Sequence, residues 1–335
     1  PEESDLAEED LRAVLRVDPA DGESAVALCE LLDQRRRLAE RDRRSRDAEE
    51  IAAQIEEIQA QTLEADPDDA WMLVRDLAYQ IQRSLNDIRP ASTGAGFSGE
   101  LQRRLARDYG PALADVADTL GTLDPEQLPL RVLDTVRRLE QLLGVGSGTD
   151  QPSRYVQLLR NRVDTVSEDT RARFALARAV GNEGDLEAAI EDLEEIENLP
   201  MLPLSLEGLI RLELQRFAPR WIADYRVRQF AALEDDNPDR AAEALAEAEA
   251  ARDRYAALSN ENDEQLILLD GLLASARGDA ERALAFFSRY NDETPSSDPR
   301  GLWLEARTAA QLERWGLTER RTRQLLELSP TNTQA

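Results

Sequence analysis

The sequence predicts an all-α protein, and three observations lead to this prediction. Apolar residues recur at spacings of three, four and seven, which places them on one face of a helix. The alternation of apolar and polar residues that marks half-buried strands does not extend over a useful length. Short turns rich in Gly, Pro, Asn and Asp separate the helical segments. With 335 residues, 41% of them apolar, the chain is long enough to bury a substantial core.

The first elements along the chain are predicted to form a long helical hairpin. Residues 23–66 contain neither Gly nor Pro. Apolar residues lie on one helical face in each arm, at Ala25, Leu28, Leu31, Leu32, Ile51, Ile55, Ile58 and Leu63. Residues 34–47, between the two arms, are polar on all sides and rich in arginine. This segment is therefore expected at the tip of the hairpin.

Two flexible stretches divide the chain into three predicted parts. Residues 89–99 (RPASTGAGFSG) and 144–153 (GVGSGTDQPS) are rich in Gly, Ser and Pro, a composition typical of linkers. We therefore predict N-terminal helices with the long hairpin over residues 1–88. A linker with irregular amphipathic helices is predicted over residues 89–152, and C-terminal repeats over residues 153–335.

A repeated pattern occupies much of the last part. Its clearest copy has a small residue, an alanine, an aromatic residue and a proline at intervals of twelve, four and eight, namely Gly271, Ala283, Phe287 and Pro295. The Gly278-Asp279 pair supplies a turn between the two helices of this copy. A second copy, with its turn at Gly184-Asp185, has Leu176, Ala177, Val180, Ala189, Leu193, Ile196 and Pro200. The pattern resembles the tetratricopeptide repeat (TPR) family.

Other copies of the pattern are incomplete. The beginning of the chain looks like the second half of a unit, with Ala7, Leu11, Val14 and Pro19, so the chain is expected to begin within a repeat. The last unit keeps Ala306, Ala309, Trp315 and Pro330. Thr318 and Thr322 replace its usual Ala and aromatic residue, and looser packing is expected there. Pro219 is interpreted as a boundary between helical segments.

The resemblance, which covers about two thirds of the chain, implies an α-solenoid of stacked helical hairpins, a TPR-like superhelix. A small residue such as Gly271 lets the two helices of a hairpin approach closely, and large residues such as Phe287 are expected to fill the space between hairpins. One hairpin alone cannot bury its apolar face, so units must stack. TPR proteins bind peptides or other proteins in the groove lined by the first helix of each pair, and the same is expected here.

The composition excludes several kinds of catalytic site. All 41 basic residues are arginine, because the sequence contains no His and no Lys. A Ser-His-Asp system, a His-ligated zinc ion and a Schiff-base lysine are therefore impossible within these residues. The only cysteine, Cys29, lies in an apolar stretch and cannot form an intrachain disulfide. The sequence predicts no catalytic residue, no metal site and no cofactor.

Two motifs that suggest a ligand are given a structural interpretation. GAGFSG at residues 94–99 matches G-x-G-x-x-G, but the parallel strand that must precede a dinucleotide site is missing, so a linker is predicted. The acidic clusters consist of Asp66, Asp68, Asp69, Glu234, Asp235, Asp236 and Asp239. They lack the glycine and the distal glutamate of a calcium-binding loop. We interpret them as loop and helix-cap acids.

Three sets of residues are predicted to contact a partner. The first set lies at the arginine-rich tip and consists of Arg36, Arg43 and Arg44. The second shares one helical face and consists of Trp221, Tyr225 and Arg228. The third lies on the first helix of the upstream repeat and consists of Arg171, Arg173, Arg178 and Asn182.

Each of these sets has both a functional and a structural interpretation. Clustered arginines suit an acidic partner surface, and the alternative is a solvated tip paired with its own carboxylates. Trp, Tyr and Arg are enriched in interface hot spots, but aromatic residues at helical spacing also form cores. The third set is placed to reach a ligand carboxylate. TPR proteins that clamp a peptide carboxyl terminus commonly use Lys as well, which this chain lacks.

The charge balance restricts the class of partner. With 68 acidic and 41 basic residues the net charge is −27, which repels nucleic acid and anionic lipid. No apolar run is long enough to span a membrane, and the sequence indicates no compartment. The predicted function is a non-enzymatic scaffold that binds a protein or peptide through its concave face or helical edges. Two alternatives stay open: a structural subunit that self-associates into a filament, layer or larger assembly, and the partner-recruiting part of a longer multidomain enzyme.

Overall fold

A computed structural model gives the fold of this chain. It describes residues 2–42, 44–88, 99–126, 128–145, 152–200, 202, 205–260, 263–294 and 298–328. Within these ranges it contains fifteen α-helices and no strand, so the predicted all-α class is confirmed. Several positions singled out in the sequence lie outside the described residues, namely Arg43, Gly94, Gly96, Pro295 and Pro330.

The helices fall in the following order. The first seven are α1 (Glu2–Val17), α2 (Gly22–Arg41), α3 (Ser45–Ala65), α4 (Ala70–Ile88), α5 (Gly99–Thr122), α6 (Leu130–Leu143) and α7 (Arg154–Thr165). The other eight are α8 (Thr170–Glu183), α9 (Leu186–Glu197), α10 (Leu206–Leu233), α11 (Pro238–Leu258), α12 (Glu264–Ala276), α13 (Ala280–Glu293), α14 (Pro299–Gln311) and α15 (Trp315–Leu328).

The chain forms two compact units, and the border between them lies inside α7, between Asn161 and Arg162. The first unit holds α1 to α6 and most of α7, and the second holds α8 to α15. The three-part division predicted from the flexible stretches stays a prediction. None of the described helices is long and apolar enough to cross a membrane.

The predicted long hairpin is the core of the first unit. Helices α2 and α3 run antiparallel, and the chain reverses direction between them, within the arginine-rich segment. Apolar side chains from both arms pack together with two leucines of α1; these residues are Leu11, Leu15, Leu28, Cys29, Leu32, Ile51, Ile55 and Ile58. Burial of this cluster holds α1 against the hairpin.

The middle of the chain folds into helices that belong to the first unit. Helix α5 contains Pro111 within its length. The carboxylate of Glu140 on α6 is only 5% exposed and accepts a hydrogen bond from the backbone N–H of Arg154 at 2.8 Å. Since a helix amino terminus has unsatisfied N–H groups, this carboxylate fixes the start of α7 against α6.

The second unit is a stack of four helical hairpins among the described residues. They pair α8 with α9, α10 with α11, α12 with α13 and α14 with α15. The turns predicted at Gly184-Asp185 and Gly278-Asp279 separate α8 from α9 and α12 from α13. Five of these helices begin with an aspartate whose side chain accepts a backbone N–H, namely Asp169, Asp185, Asp263, Asp279 and Asp298.

Gly271 allows the close helix approach expected from the TPR-like pattern. A Cβ atom at this position would lie 2.5 Å from the Phe287 ring, closer than any real contact. Phe287 is fully buried. Its ring therefore fills the space against Gly271 within one hairpin, although the sequence had suggested that it fills the space between hairpins. In the last hairpin, Leu325 is the only described residue of α15 that is buried. This agrees with the looser packing predicted there.

Pro219 does not mark a boundary, and that interpretation was wrong. Helix α10 continues through Pro219 for 28 residues. A proline inside a helix removes one backbone hydrogen bond and costs about 3 kcal/mol. Ala218 and Ile222 on either side are buried, and packing along the whole of α10 offsets that cost.

A tyrosine–aspartate hydrogen bond joins successive hairpins. The hydroxyl of Tyr255 on α11 donates to Asp263, at 3.0 Å, and Asp263 is the N-cap of α12. The hydroxyl of Tyr290 on α13 donates to Asp298, at 2.9 Å, and Asp298 is the N-cap of α14. Both pairs have the same spacing along the sequence. Each aspartate thus caps its own helix and binds the preceding hairpin.

Candidate functional site

Two arginines lie against one tryptophan on the second unit. Trp221 on α10 is partly exposed. The guanidinium carbon of Arg178 on α8 lies 4.5 Å from its ring centroid, and that of Arg220 lies 4.6 Å away. Cations at this distance are attracted to the electron-rich face of an indole. We call Arg178, Arg220, Trp221 and Arg228 the arginine–tryptophan surface.

Tyr225 supports this surface from beneath. Its side chain is fully buried, and its ring fills the space beside Gly181 on α8. Its hydroxyl donates to the backbone carbonyl of Arg178 at 3.3 Å. Burial, and then the nearby Asp224 carboxylate, raises the pKa of Tyr225 to about 12. Of the two interpretations of this aromatic face, the core one therefore applies to Tyr225 and the exposed one to Trp221.

Arg228 extends the surface along α10. Its guanidinium carbon lies 5.4 Å from the centroid of the Tyr225 ring. Arg220 and Arg228 are eight residues apart on one helix, which separates them by about 12 Å along the axis. The three arginines of the surface thus lie against two neighbouring rings, Trp221 and Tyr225, whose centroids are 5.9 Å apart.

The Asp224 carboxylate and the Arg300 guanidinium both influence the pKa of Arg220. Asp224 is 5% exposed and forms an ion pair with Arg300 of α14. Burial lowers the pKa of Arg220 and outweighs the opposing influence of Asp224, while Arg300 and Arg178 lower it further. For Arg300, the attraction of Asp224 overcomes the effect of burial, so its pKa is raised. Arg220 and Arg300 thus both lie in the field of one buried carboxylate.

The other predicted residues of α8 do not all join this surface. Arg171 and Asn182 are exposed, and among the described side chains the cations against the Trp221 ring are Arg178 and Arg220. Arg173 turns towards α9, where it pairs with Glu195. The set of four predicted from the sequence therefore contributes Arg178 to the arginine–tryptophan surface.

The arginine-rich tip belongs to the first unit and is extensively paired. Arg36 lies 3.3 Å from Asp33 and 2.7 Å from Glu40. Arg44 lies 3.4 Å from Asp42 and 3.3 Å from Asp47. Both arginines thus interact with carboxylates of their own hairpin, as the structural alternative predicted. Their role in binding a partner stays a prediction.

The acidic clusters behave as capping groups where the structure describes their contacts. Asp69 accepts a hydrogen bond from the backbone N–H of Met72 at 2.7 Å, and Asp66 accepts one from Asp68. Burial raises the pKa of Asp69. In the described part of the chain, no three His, Cys, Asp or Glu side chains are grouped to hold a metal ion.

The first unit also contains an open cleft of about 640 Å³ between α1, α2 and α3. Leu15, Leu28 and Ile58 contribute apolar surface, and Glu8 and Arg12 contribute polar side chains. Glu8 and Arg12 pair with each other at 2.9 Å. These two polar groups of the cleft are thus partnered within the protein.

Sequence reasoning missed Arg220, Asp224 and Arg300. Arg220 adjoins Trp221 in the sequence, so its proximity to that ring gave a usable signal. Asp224 and Arg300 are 76 residues apart, and only the stacking of hairpins brings them together. A single sequence gives no indication of that pairing.

Comparison with known proteins finds solved structures that this chain resembles. No protein-family model matches the chain, and no curated protein matches it. A thermophilic TPR protein of Thermus thermophilus is 19% identical over 62% of this chain and 93% of that one, with a TM-score of 0.43. The APC/C hetero-tetramer Cut9-Hcn1 is 13% identical over 97% and 50%, with a TM-score of 0.42. The TPR domain of P58(IPK) is 11% identical over 98% and 89%, with a TM-score of 0.27.

Proposed function

Because this chain is a TPR-like array of helical hairpins, we propose that it is a non-enzymatic scaffold that binds a partner protein or peptide. The arginine–tryptophan surface of the second unit is the binding site in this proposal. The fold alone does not determine a function, so the proposal depends on the properties of this surface.

The observation that carries the proposal is the partly exposed ring of Trp221 with two guanidinium groups against it. Trp and Arg are the residue types that contribute most to binding energy at interfaces. Tyr225 is buried between α8 and α10 and holds these helices together beneath the surface. A partner would thus meet side chains that packing has already positioned, which lowers the entropic cost of binding.

The test is to capture partners with the full chain from a lysate of its source organism and to identify them by mass spectrometry. Binding of a recovered partner is then measured with the purified Trp221→Ala variant. We expect its affinity to fall by at least about tenfold, because the truncated side chain is central to the surface. Circular dichroism verifies that the variant keeps its helical content.

Trp315→Ala is the matched control. Trp315 is 65% exposed, lies on α15 and is not one of the residues of the arginine–tryptophan surface. Its truncation is expected to leave partner binding unchanged. Equal binding by the Trp221→Ala variant and the unaltered chain would contradict the proposal.

Recovery of this chain alone, in large assemblies, would also contradict it and would favour the self-association alternative. An exposed apolar stripe on α10 gives that alternative a physical basis, because Leu206, Leu209 and Leu212 are 74%, 53% and 46% exposed. These residues recur every three positions and so lie along one side of the helix.

A further inference from the structure

We propose that the arginine–tryptophan surface binds an acidic segment of the partner, in which side-chain carboxylates of Asp and Glu pair with Arg178, Arg220 and Arg228. This inference rests on the proposed function and specifies the chemistry of the partner. The lack of compensating carboxylates, the spacing of the arginines and the charge of the whole chain support it.

The three arginines lack ion-pair partners. Among the described residues, no carboxylate oxygen lies within 4.0 Å of the guanidinium nitrogens of Arg178, Arg220 or Arg228. The nearby Asp224 is already paired with Arg300. Asp298, the other carboxylate close to Arg300, accepts the Tyr290 hydroxyl and the Arg300 backbone N–H. The positive charge of the surface is therefore left for a ligand.

Several arginines elsewhere in the second unit are paired. Arg226 lies 2.8 Å from Glu247, Arg252 lies 2.7 Å from Asp270, and Arg254 lies 2.8 Å from Glu197. The sequence supplies 68 acidic residues for 41 arginines. With carboxylates so abundant, three arginines without an ion pair, set against the neighbouring rings of Trp221 and Tyr225, mark a distinct region of the surface.

The spacing of the charges favours several separate carboxylates. Arg220 and Arg228 are about 12 Å apart along the axis of α10, and their guanidinium groups lie against different rings, so separate carboxylates suit them better than one phosphate group. An extended peptide rises about 3.3–3.6 Å per residue, so a few residues carry separate carboxylates over a distance of this size. The indole of Trp221 adjoins Arg178 and Arg220 and offers apolar contact to the aliphatic part of a Glu side chain.

The net charge of the chain is −27, and this restricts where on the protein an acidic partner can bind. An acidic partner is repelled by most of the protein and attracted only where positive charge is concentrated. Electrostatic complementarity of this kind determines where a partner docks and how fast it associates.

The experiment uses the full chain and a fluorescently labelled peptide of Glu and Asp with interspersed Leu, blocked at both ends. The matched peptide has Gln and Asn in place of Glu and Asp. We expect the acidic peptide to bind, with an affinity that falls as salt increases, and the amide peptide not to bind. Arg178→Gln and Arg228→Gln are each expected to weaken binding about tenfold.

Arg240→Gln is the control variant, because Arg240 is exposed on α11 and lies outside the surface. It is expected to bind the acidic peptide as the unaltered chain does. Arg220 is partly buried, so the two more peripheral variants keep the test valid even if Arg220→Gln fails to fold. Absence of binding, equal binding of the amide peptide or unchanged affinity in both variants would overturn the inference. Tighter binding of a phosphoserine peptide would also overturn it.

These outcomes separate the inference from the proposed function. If Trp221→Ala abolishes partner binding while the arginine variants leave it unchanged, the scaffold proposal stands and the acidic-segment inference fails. If the arginine variants lose the acidic peptide while Trp221→Ala keeps the natural partner, the scaffold site lies elsewhere and this surface has a different role.

Discussion

At the scale of single residues, small and large side chains determine where helices meet. Gly271 has no side chain, and the Phe287 ring occupies the space where one would be. Gly316 on α15 presents the opposite case, because nothing lies within 4 Å of a Cβ atom added there. The same substitution at these two glycines should therefore have opposite effects on stability.

We expect Gly271→Ala to lower the free energy of unfolding by about 1–3 kcal/mol, because the new methyl group would overlap a ring in a packed core. Gly316→Ala should leave stability unchanged or raise it by up to about 1 kcal/mol, because alanine favours the helix. Denaturant unfolding followed by circular dichroism measures both values. A stabilised Gly271→Ala variant would contradict the packing described here.

For the residues of the aromatic face, the sequence predicts that they share one side of a helix but not which of them are buried. The spacing of Trp221, Tyr225 and Arg228 correctly indicated one helical face, but a face has a buried edge and an exposed edge. Tyr225 proved to be fully buried and Trp221 partly exposed. Their difference depends on where α8 packs, through Gly181, and this is a tertiary contact that periodicity does not contain.

At the scale of helices and hairpins, an N-cap aspartate either caps its own helix only or also binds the preceding hairpin. Asp279 accepts the backbone N–H of Arg282 and caps α13. Asp298 caps α14 and also accepts the hydroxyl of Tyr290, so it fixes the helix start and binds the preceding hairpin. Removal of Asp298 should consequently cost more than removal of Asp279.

We expect Asp279→Ala to destabilise the protein by about 1 kcal/mol, the usual effect of a lost cap. Asp298→Ala should cost about 1 kcal/mol more, because the buried Tyr290 hydroxyl also loses its acceptor. Combining Asp298→Ala with Tyr290→Phe should recover part of that extra cost, as a double-mutant cycle measured by chemical denaturation would show. Equal effects of the two aspartate variants would argue against the second role of Asp298.

Element boundaries were predicted well where turn residues are unambiguous and poorly at prolines. The turns at Gly184-Asp185 and Gly278-Asp279 lie between helices as expected. Pro219 lies inside α10, because buried neighbours on both sides hold the helix together. Proline usually ends a helix, but tertiary packing offsets its cost at this position. A single sequence does not reveal that packing.

At the scale of the whole molecule, the lack of lysine leaves few kinds of side chain that titrate at alkaline pH. Between about pH 9 and pH 12 the only side chains left to titrate are tyrosines and Cys29. Burial raises the pKa of Cys29 from its ordinary value of 9.0 to about 11. Burial likewise raises the pKa of Tyr225 and of Tyr290 from 10.0 to about 12. In each case the folded state favours the protonated form.

The sign of the pH dependence follows from these shifts. The stability from each group is fully present below its unfolded-state pKa and is lost as pH rises through its folded-state pKa. We expect the free energy of unfolding to be constant up to about pH 9 and to fall by about 2 kcal/mol for each of these three groups towards pH 12. Cys29→Ala and Tyr225→Phe should each flatten this fall, as denaturation at a series of pH values would show.

Tyr79→Phe is the control for this experiment, because Tyr79 is only half-buried. It should leave the slope of stability against pH close to that of the unaltered chain. A slope that stays the same in both the Cys29 and Tyr225 variants would show that other groups control the alkaline transition.

The paired tyrosine and aspartate at Tyr255–Asp263 and Tyr290–Asp298 recur after 35 residues, and each bond crosses from one hairpin to the next. A tandem duplication of one such period would bring its own donor and its own acceptor. Neither old junction would be left with an orphaned hydroxyl, and the new junction would form the same bond. An array built this way can grow or shrink during evolution by whole periods, with its internal joints already complete.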